Sequence, residues 1–252
     1  MEKIIPGEPI TIAPGIVRLT APNPGVMTGP GTNSYIVGTH ELIVIDPGPA
    51  IDEHIAALIN AVGNQLKHIV CTHTHLDHSP AALKLKQATG ASLAGRIAPG
   101  DGRQDPDFAP DVIPNDGDTI RVEGVTLRAI HTPGHASNHL CYFFEEQRLM
   151  FTGDHVMQGS TVVITPPDGD MHAYFASLDK LLALDIAALA PGHGRVIDTP
   201  HAEVRKIIAH RLKREDKVVS ALEQKHPATL DELVPLAYED VMPRVGELFD
   251  EL

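Results

Sequence analysis

Residues 67–80, KHIVCTHTHLDHSP, join a run of apolar residues directly to a dense group of potential metal ligands. The apolar part is rich in branched side chains and predicts a buried strand. On extended backbone His73 and His75 point to the same side, because side chains alternate along a strand. Asp77 and His78 follow the strand and can turn toward a neighbouring position. Imidazole and carboxylate are the ligands expected for zinc, iron or manganese, so this segment predicts a metal site.

Three later segments repeat one order of features: an apolar strand, then glycine or proline, then a ligand-type residue. They are AIHTPGH, which ends at His135, LMFTGD, which ends at Asp154, and ALAPGHG, which contains His193. Glycine lets the backbone turn sharply, and loops that follow strands carry many functional sites. Four such segments in one chain favour a single composite site at the ends of several strands.

The sequence around these segments alternates between strand and helix patterns, which is typical of an α/β fold. The pattern changes after residue 200, where a long amphipathic helix is predicted over 201–223 and an acidic helical segment over 228–252. We therefore expect a catalytic domain over 1–200 and a helical extension over 201–252. The predicted strands are 16–20, 34–37, 42–45, 67–71, 120–130, 139–144, 148–152 and 186–190, and the predicted helices of the first domain are 52–62, 80–89 and 172–184.

Composition limits the classes of function. The 252 residues are 42 % hydrophobic and 21 % charged, which is typical of a globular protein. A net charge of −13 disfavours nonspecific nucleic-acid binding, and two cysteines are too few for a disulfide scaffold. No apolar run reaches the ~20 residues that span a bilayer, and the N-terminus lacks a signal-peptide pattern. We expect a soluble cytoplasmic protein that does not bind membranes.

The strings HTHLDH, TPGH, FTGD and APGHG, in this order and spacing, resemble the metallo-β-lactamase fold family over roughly residues 15–198. The resemblance implies an αββα sandwich with two divalent ions at the edge between its sheets. Zinc is the expected metal, and iron or manganese are alternatives. The ligands that the resemblance implies are His73, His75 and His135 for the first ion, Asp77, His78 and His193 for the second, and Asp154 as the bridge.

Several residues indicate which branch of this family the sequence resembles. His75 stands where flavodiiron proteins carry Glu, and Asp154 stands where true β-lactamases lack a bridging carboxylate. The bridging Asp resembles glyoxalase II, thioesterases, lactonases and nuclease relatives. GPGTNSYIVG at 29–38 and AHRLKRE at 209–215 resemble the lactamase-β-like subfamily, which includes a mitochondrial endoribonuclease. That subfamily ends in a winged-helix-like domain, which would be truncated in this chain.

The leading hypothesis is a dinuclear metal-dependent hydrolase. Two divalent ions that flank one water lower the pKa of that water toward neutrality, which yields a metal-bridging hydroxide as nucleophile. Asp77 is the candidate catalytic residue that accepts the proton of the water. The expected substrate is an ester, thioester or lactone of a small molecule or of an acyl carrier.

Six further residues have predicted roles around the metal centre. Second-sphere groups usually orient ligand histidines. Asp46 and His155 are the candidates for that role. The helix predicted over 201–223 contains a cluster of basic residues at 205–214 and is called the basic helix. Substrate contact is predicted for two residues that follow a Gly-Pro-rich loop and, by resemblance to the family, for two arginines of the basic helix. These four residues are Asn33, Tyr35, Arg211 and Arg214.

Three alternative functions remain open at this point. An endoribonuclease for single-stranded RNA agrees with the basic helix, but the acidic charge and an aromatic content of only 4 % disfavour it. A mononuclear iron sulfur dioxygenase shares the His-x-His-x-Asp-His string. A non-catalytic protein with a structural metal is the last alternative. The physiological substrate and the oligomeric state do not follow from the sequence.

Overall fold

The computed structural model of this chain describes residues 4–100, 102–159 and 161–238. The chain divides into two compact units, Met1–His201 and Ala202–Leu252. Among the described residues, none of the helices combines the length and the apolar character needed to cross a membrane.

The first unit contains a six-stranded sheet in chain order, β1-β2-β3-β4-β5-β6. Neighbouring strands are antiparallel from β1 to β4, and β4, β5 and β6 are parallel to one another. All four residues of β4 are buried, as expected for a strand covered on both faces. The strands are β1 (Pro9–Ala13), β2 (Ile16–Thr20), β3 (Asn33–Gly38), β4 (Leu42–Ile45), β5 (Leu66–Val70) and β6 (Ser92–Ala94).

A second sheet of five strands has the order β11-β10-β9-β8-β7. Only the pair β10 and β11 is parallel, and the other neighbours are antiparallel. The strands are β7 (Thr119–Val122), β8 (Val125–His131), β9 (Leu140–Phe144), β10 (Leu149–Gly153) and β11 (Ala188–Pro191).

Two hydrophobic cores hold the layers of the first unit together. The inner core lies between the sheets and joins side chains such as Val37 and Ile45 to Tyr142 and Phe151. The outer core packs the first sheet against helices α1 (Asp52–Val62) and α2 (Ala82–Thr89). Helix α3 (Met171–Leu182) covers the second sheet, where it donates from Ser177 to the carbonyl of Pro133. The predicted αββα sandwich is confirmed.

The sequence patterns missed strands β1 and β6, and the single strand predicted over 120–130 is in fact the antiparallel pair β7 and β8. Strand β1 is an edge strand that begins with Pro9, and none of its five residues is buried. Strand β6 has only three residues. Both strands lie at the edges of the first sheet, where pairing with one neighbour rather than a strong pattern of alternating polarity determines the structure.

The second unit contains most of helix α4 (Pro200–Gln224) and all of helix α5 (Leu230–Ala237). Thr229 and Glu232 form a capping box at the start of α5. The guanidinium of Arg214 donates to the carbonyl of Ala237 over 2.6 Å and lies 4.5 Å from the ring centre of Tyr238. The helical segment predicted over 228–252 and its winged-helix-like character fall largely on residues 239–252, which lie outside the described residues.

Candidate metal centre

Four strand ends place the predicted ligands at one edge of the sandwich. His73 and His75 follow β5, His135 follows β8, Asp154 directly follows β10, and His193 follows β11. The structure brings all seven predicted ligands together, and we refer to them as the seven-residue cluster. They form three overlapping groups whose ligand atoms lie within 4.8 Å of one another: His73, His75 and His135; His73, His78 and Asp154; Asp77, His78 and His193.

The first of these groups consists of three imidazoles. Nδ1 of His75 lies 2.9 Å from Nε2 of His135. His135 donates its Nδ1–H to the carbonyl of Val163 over 2.6 Å, which leaves Nε2 facing the group. The ring centres of His73 and His75 are 4.6 Å apart. Their spacing on extended backbone therefore brings the two rings to one side of the segment.

Asp154 reaches both ends of the cluster with its two oxygens. Its Oδ1 lies 3.3 Å from Nε2 of His193 and 3.4 Å from Nε2 of His78. Its Oδ2 lies 3.7 Å from Nε2 of His135. Oδ2 of Asp77 lies 3.2 Å from Nε2 of His193. A carboxylate in this position can contact two neighbouring ions at once.

Asp46 orients two histidines of the cluster through hydrogen bonds on their Nδ1 side, directly for His78 and through Thr72 for His73. Its Oδ2 accepts a hydrogen bond from Nδ1 of His78 over 3.0 Å and another from the Thr72 hydroxyl over 2.7 Å. Because that hydroxyl has a single proton, its oxygen accepts from Nδ1 of His73 over 3.0 Å. Asp46 Oδ1 also accepts from the Thr72 backbone N–H. Both rings consequently turn Nε2 toward the cluster, an arrangement typical of metal-ligating histidines.

The buried polar atoms of this site fit bound cations. Nε2 of His73, Nε2 of His78 and Oδ1 of Asp154 are buried, and none makes a hydrogen bond within the described part of the chain. Buried polar atoms are nearly always satisfied, so three such atoms facing one another indicate a missing partner. Gly192 keeps the space open, since a Cβ there would lie 2.7 Å from Cε1 of His78. Imidazole nitrogens and carboxylate oxygens are the donors that divalent transition metals prefer.

Without cations, the two ends of the cluster have opposite electrostatics. Burial, helped by neighbouring histidines, lowers the pKa of His75 to about 4 and holds the pKa of His73 well below its usual range. At the other end burial opposes the charged form, but Asp154 and Asp77 raise the pKa of His193 to about 9. Burial likewise raises the pKa of Asp77, yet His78 and His193 outweigh it and lower that pKa to about 2. His73 and His75 are therefore neutral at pH 7, whereas Asp77 and His193 form an ion pair.

The cluster opens into a cavity of about 280 Å³. Its polar lining comes largely from the cluster itself, and its apolar lining comes from loops beside it. The loop residues Arg103, Thr165 and Asp168 complete the wall. The apolar lining residues are Met27, Met157, Val162 and Val163.

Asn33 and Tyr35, predicted to contact substrate, lie away from this cavity. Both side chains are buried. Asn33 Nδ2 donates to the carbonyls of Pro191 and Gly194 over 3.0 and 2.9 Å, and the Tyr35 hydroxyl donates to Pro191 over 2.7 Å. Their placement favours a structural role, since they hold the loop that carries His193.

The structure places His155 one layer behind the cluster. Its ring centre lies 5.0 Å from that of Tyr174 and 5.9 Å from that of His139, whose ring in turn lies 5.1 Å from His73. His155 therefore packs behind a ligand ring through His139. The substrate contacts predicted for Arg211 and Arg214 belong to the second unit and stay a prediction.

Sequence reasoning missed Thr72 and Gln104. Thr72 precedes the ligand string directly, yet nothing in the sequence distinguishes it from an ordinary strand residue. Gln104 Oε1 accepts from the Thr74 hydroxyl over 2.6 Å, and its Nε2 donates to Asp168 over 3.0 Å. It lies in the long connection over 95–118, whose sequence has no periodicity from which this contact could be predicted.

A family model, that of the Metallo-beta-lactamase superfamily, matches residues 27–193 of this chain. The chain belongs to the metallo-beta-lactamase superfamily. The matched residues include the whole seven-residue cluster. The resemblance stated from the sequence motifs is thereby confirmed, and divalent metal binding is the property that the superfamily implies for this cluster.

Known relatives of this superfamily member are found among fungi. The lactamase-like protein aptB of Emericella nidulans is 33 % identical over 100 % of this chain and 81 % of its own length. The atrochrysone carboxyl ACP thioesterase of Claviceps purpurea is 32 % identical over 92 % of this chain and 74 % of its own length. The predicted assignment to an enzyme of the hydrolase class is confirmed.

A solved structure supports the fold of this superfamily member. A metallo-beta-lactamase family protein from Thermus thermophilus has a TM-score of 0.76 and covers 90 % of this chain and 89 % of its own. The two sequences are 21 % identical, so this likeness concerns the fold alone.

Proposed function

We propose that this chain is a dinuclear zinc hydrolase of the glyoxalase II-like branch that acts on acyl thioesters, most of all on carrier-bound ones. The observation that carries the proposal is the convergence of seven donor side chains in three groups that overlap at His73 and His78, with the two oxygens of Asp154 directed toward His193 and His135. A relative named as an ACP thioesterase aligns with most of the chain and supports the choice of substrate. Residues 1–200 would form the catalytic domain and residues 201–252 the helical extension.

The donor set divides naturally between two ions. His73, His75 and His135 would hold the first ion, Asp77, His78 and His193 would hold the second, and Asp154 would bridge them. When bound, two such ions activate a water as a nucleophile and polarise the substrate carbonyl.

The residues of the chain supply orientation and a proton acceptor. Asp46 and Thr72 keep the Nε2 atoms of His73 and His78 directed into the cluster. The Asp77 side chain is 28 % exposed, so it faces incoming water and substrate. Since its pKa is lowered to about 2, the carboxylate is ionised at neutral pH. The ionised Asp77 Oδ2 would accept the proton that the attacking water loses as its oxygen bonds to the thioester carbonyl carbon. Asp77 would then pass this proton to the sulfur as the C–S bond breaks, so that the products are the carboxylic acid and the thiol.

The cavity suits an acyl group of modest size. Met27, Met157, Val162 and Val163 provide an apolar wall beside the polar cluster. Burial of an acyl chain against such a wall is favourable by roughly 25 cal/mol per Å² of apolar area. The acyl chain of a thioester would lie against this apolar wall, and the carbonyl carbon of the thioester would lie next to the seven-residue cluster.

The test is hydrolysis of acyl-pantetheine and acyl-CoA thioesters by zinc-loaded protein, followed with a thiol reagent. We expect His73→Ala and Asp154→Ala to lose bound metal and to lower kcat/KM by at least about 100-fold, since each removes a ligand. Asp185→Ala is the matched control, because Asp185 is exposed and pairs with Arg148 on the surface. Full metal content in both ligand variants would contradict the ligand assignment.

The same preparation separates the alternatives. Elemental analysis of the protein as purified, before any zinc is added, should give two zinc ions per chain, and one iron per chain would indicate the dioxygenase instead. Fully loaded protein that hydrolyses no thioester, ester or lactone would overturn the proposal. Cleavage of a single-stranded RNA oligonucleotide by that protein would indicate the nuclease function.

A further inference from the structure

The cavity beside the seven-residue cluster contains a positively charged side chain with no role in metal binding. Within the described residues, Arg103 is the only lysine or arginine that lines this cavity. Around it the wall includes the apolar side chains of Met157, Val162 and Val163. Arg103 is itself an exposed residue, so its charge is accessible to a ligand that enters the cavity. The positive charge of Arg103 therefore makes this wall of the cavity suitable for binding an anionic group of a ligand.

The backbone on the C-terminal side of Arg103 is anchored to the segment that carries the ligands. Gln104 hydrogen bonds to the Thr74 hydroxyl over 2.6 Å, between His73 and His75 in sequence. The N–H of Asp105 donates to the Thr74 carbonyl over 2.7 Å. The Asp105 carboxylate accepts from the Ser79 hydroxyl over 2.8 Å. These buried contacts tie the position of Arg103 to the metal centre, and such preorganisation reduces the entropic cost of binding.

The guanidinium itself is directed by the opposite loop. Nη1 of Arg103 donates to the carbonyl of Pro166 over 3.1 Å. A guanidinium has five N–H donors in a planar fork, so it can serve several acceptors at once. This fork matches the two oxygens of a carboxylate and can bind them with two parallel hydrogen bonds.

The acidic neighbour in this wall already has partners for its charge. Asp168 lines the same cavity, and its Oδ2 accepts from Gln104 Nε2 and from the Ser137 N–H, each over 3.0 Å. The carboxylate therefore stabilises the loops that surround Arg103. Its hydrogen bonds favour a structural role for Asp168 over a role as an acceptor for substrate.

We propose that Arg103 is a specificity-determining residue that binds a carboxylate on the acyl part of the substrate. This inference rests on the proposed thioesterase function. An anionic group could belong to the acyl part or to the phosphate of a phosphopantetheine arm. A cavity of about 280 Å³ shared with the cluster favours the acyl part, because the phosphate is separated from the thioester by the whole length of the arm.

Matched thioesters test this assignment. Succinyl-pantetheine and butyryl-pantetheine have acyl chains of equal length, and only the first carries a carboxylate. We expect wild-type protein to favour the succinyl substrate in kcat/KM by about tenfold or more, as for a charge-assisted hydrogen-bonded pair. Arg103→Gln should abolish the preference, and Arg103→Lys should retain part of it because it keeps the charge without the fork.

Arg96→Gln is the control variant. Arg96 lies on the same long connection, donates to the Pro114 carbonyl, and lines a separate cavity with Ile97 and Ile113. Its substitution should leave the preference unchanged. Equal preference in wild-type and Arg103→Gln protein, or an equal loss in both variants, would overturn the assignment. A preference for butyryl-CoA over butyryl-pantetheine that disappears in Arg103→Gln would show that Arg103 binds the arm phosphates instead.

A binding experiment keeps this inference separable from the proposed function. S-(3-carboxypropyl)pantetheine and S-butylpantetheine are thioethers that cannot be hydrolysed. Calorimetry should show tighter binding of the carboxylated compound to wild-type protein by about tenfold or more, with the difference lost in Arg103→Gln. Loaded protein with no thioesterase activity but with this difference would refute the proposed function and leave the anion site. Active protein without this difference would refute only the role of Arg103.

Discussion

At the scale of single residues, Asp46 sets the geometry of the seven-residue cluster although it does not line the cavity. Its two oxygens accept from the Thr72 backbone, the Thr72 hydroxyl and Nδ1 of His78. Asp46 adopts a φ of 49°, an uncommon left-handed conformation for a residue with a side chain. Strain of this kind persists where surrounding contacts stabilise it, as the three hydrogen bonds to this carboxylate do.

The first prediction concerns this carboxylate. Asp46→Ala should weaken zinc affinity by about 10- to 100-fold, because the rings of His73 and His78 lose the acceptors that set their orientation. Competition with a chromophoric chelator measures the change. Thr72→Val should weaken zinc affinity less, since it removes only the hydroxyl that links Asp46 to Nδ1 of His73 and leaves the contact with His78. Asp52→Asn, at an exposed ion pair with Lys84, is the control, and equal zinc affinity in Asp46→Ala would refute the role.

The second prediction concerns the space that Gly192 leaves open. A methyl group at this position would meet Cε1 of His78 at 2.7 Å and Oδ1 of Asp154 at 2.8 Å. Gly192→Ala should therefore lower metal content while the circular dichroism spectrum stays native. Gly100→Ala is the matched control, because a Cβ at Gly100 has no atom within 4 Å. Normal zinc content in Gly192→Ala would mean that the site tolerates the displacement.

At the scale of elements, the outline of the first unit could largely be predicted from local pattern. The predicted strand 16–20 and helix 52–62 have the observed bounds. Buried residues of the helix, such as Ile55, Leu58 and Val62, recur every three to four positions, and four of the five strand residues are buried. The edge strands β1 and β6 were missed, since their neighbours in the sheet determine them. The long connection over 95–118 has no periodicity, and its structure depends on contacts such as that of Gln104 with Thr74.

The third prediction concerns helix α1, which buries His54. The Nε2 atom of His54 lies 2.9 Å from the Ser34 hydroxyl, and burial lowers the pKa of this histidine to about 4. In the unfolded chain the pKa is about 6.5. Folding therefore favours the neutral ring, and this contribution to stability is complete above pH 6.5 and declines as the pH falls toward 4.

Chemical denaturation in the presence of a chelator tests this linkage without a contribution from metal release. Between pH 7 and pH 5 the free energy of unfolding of wild-type protein should fall by about 2 kcal/mol more than that of His54→Gln. His40→Gln is a control at an exposed histidine. Parallel curves for wild-type and His54→Gln protein would show that the buried histidine does not contribute this pH dependence.

At the scale of the whole molecule, the seven-residue cluster joins both sheets, so metal bound there should contribute to global stability. Its ligands follow β5 of the first sheet and β8, β10 and β11 of the second. Ions that bind only the folded chain raise its stability by mass action. The unsatisfied buried atoms of His73, His78 and Asp154 make the metal-free state less favourable.

The fourth prediction follows from this connection. Removal of metal by a chelator should lower the Tm by several degrees, and added zinc should restore it, as calorimetry can measure. In His73→Ala the chelator should have a much smaller effect. A Tm that is identical with and without chelator, in protein that demonstrably loses its zinc, would show that the centre contributes nothing to stability.

The sequence by itself, through motifs that resemble a known family, was enough to predict the fold class and the seven residues of the cluster. Apolar strands followed by His73, His135 or His193 are local patterns, and local backbone geometry is enough to predict strand ends that carry ligands. Only the tertiary structure decided which atoms face one another. One oxygen of Asp154 lies near His193 and the other near His135, and Asp46 contacts His78. These contacts, like those that bury Tyr35, join residues that are far apart in sequence. Such contacts depend on how strands from two sheets pack, which no local period encodes.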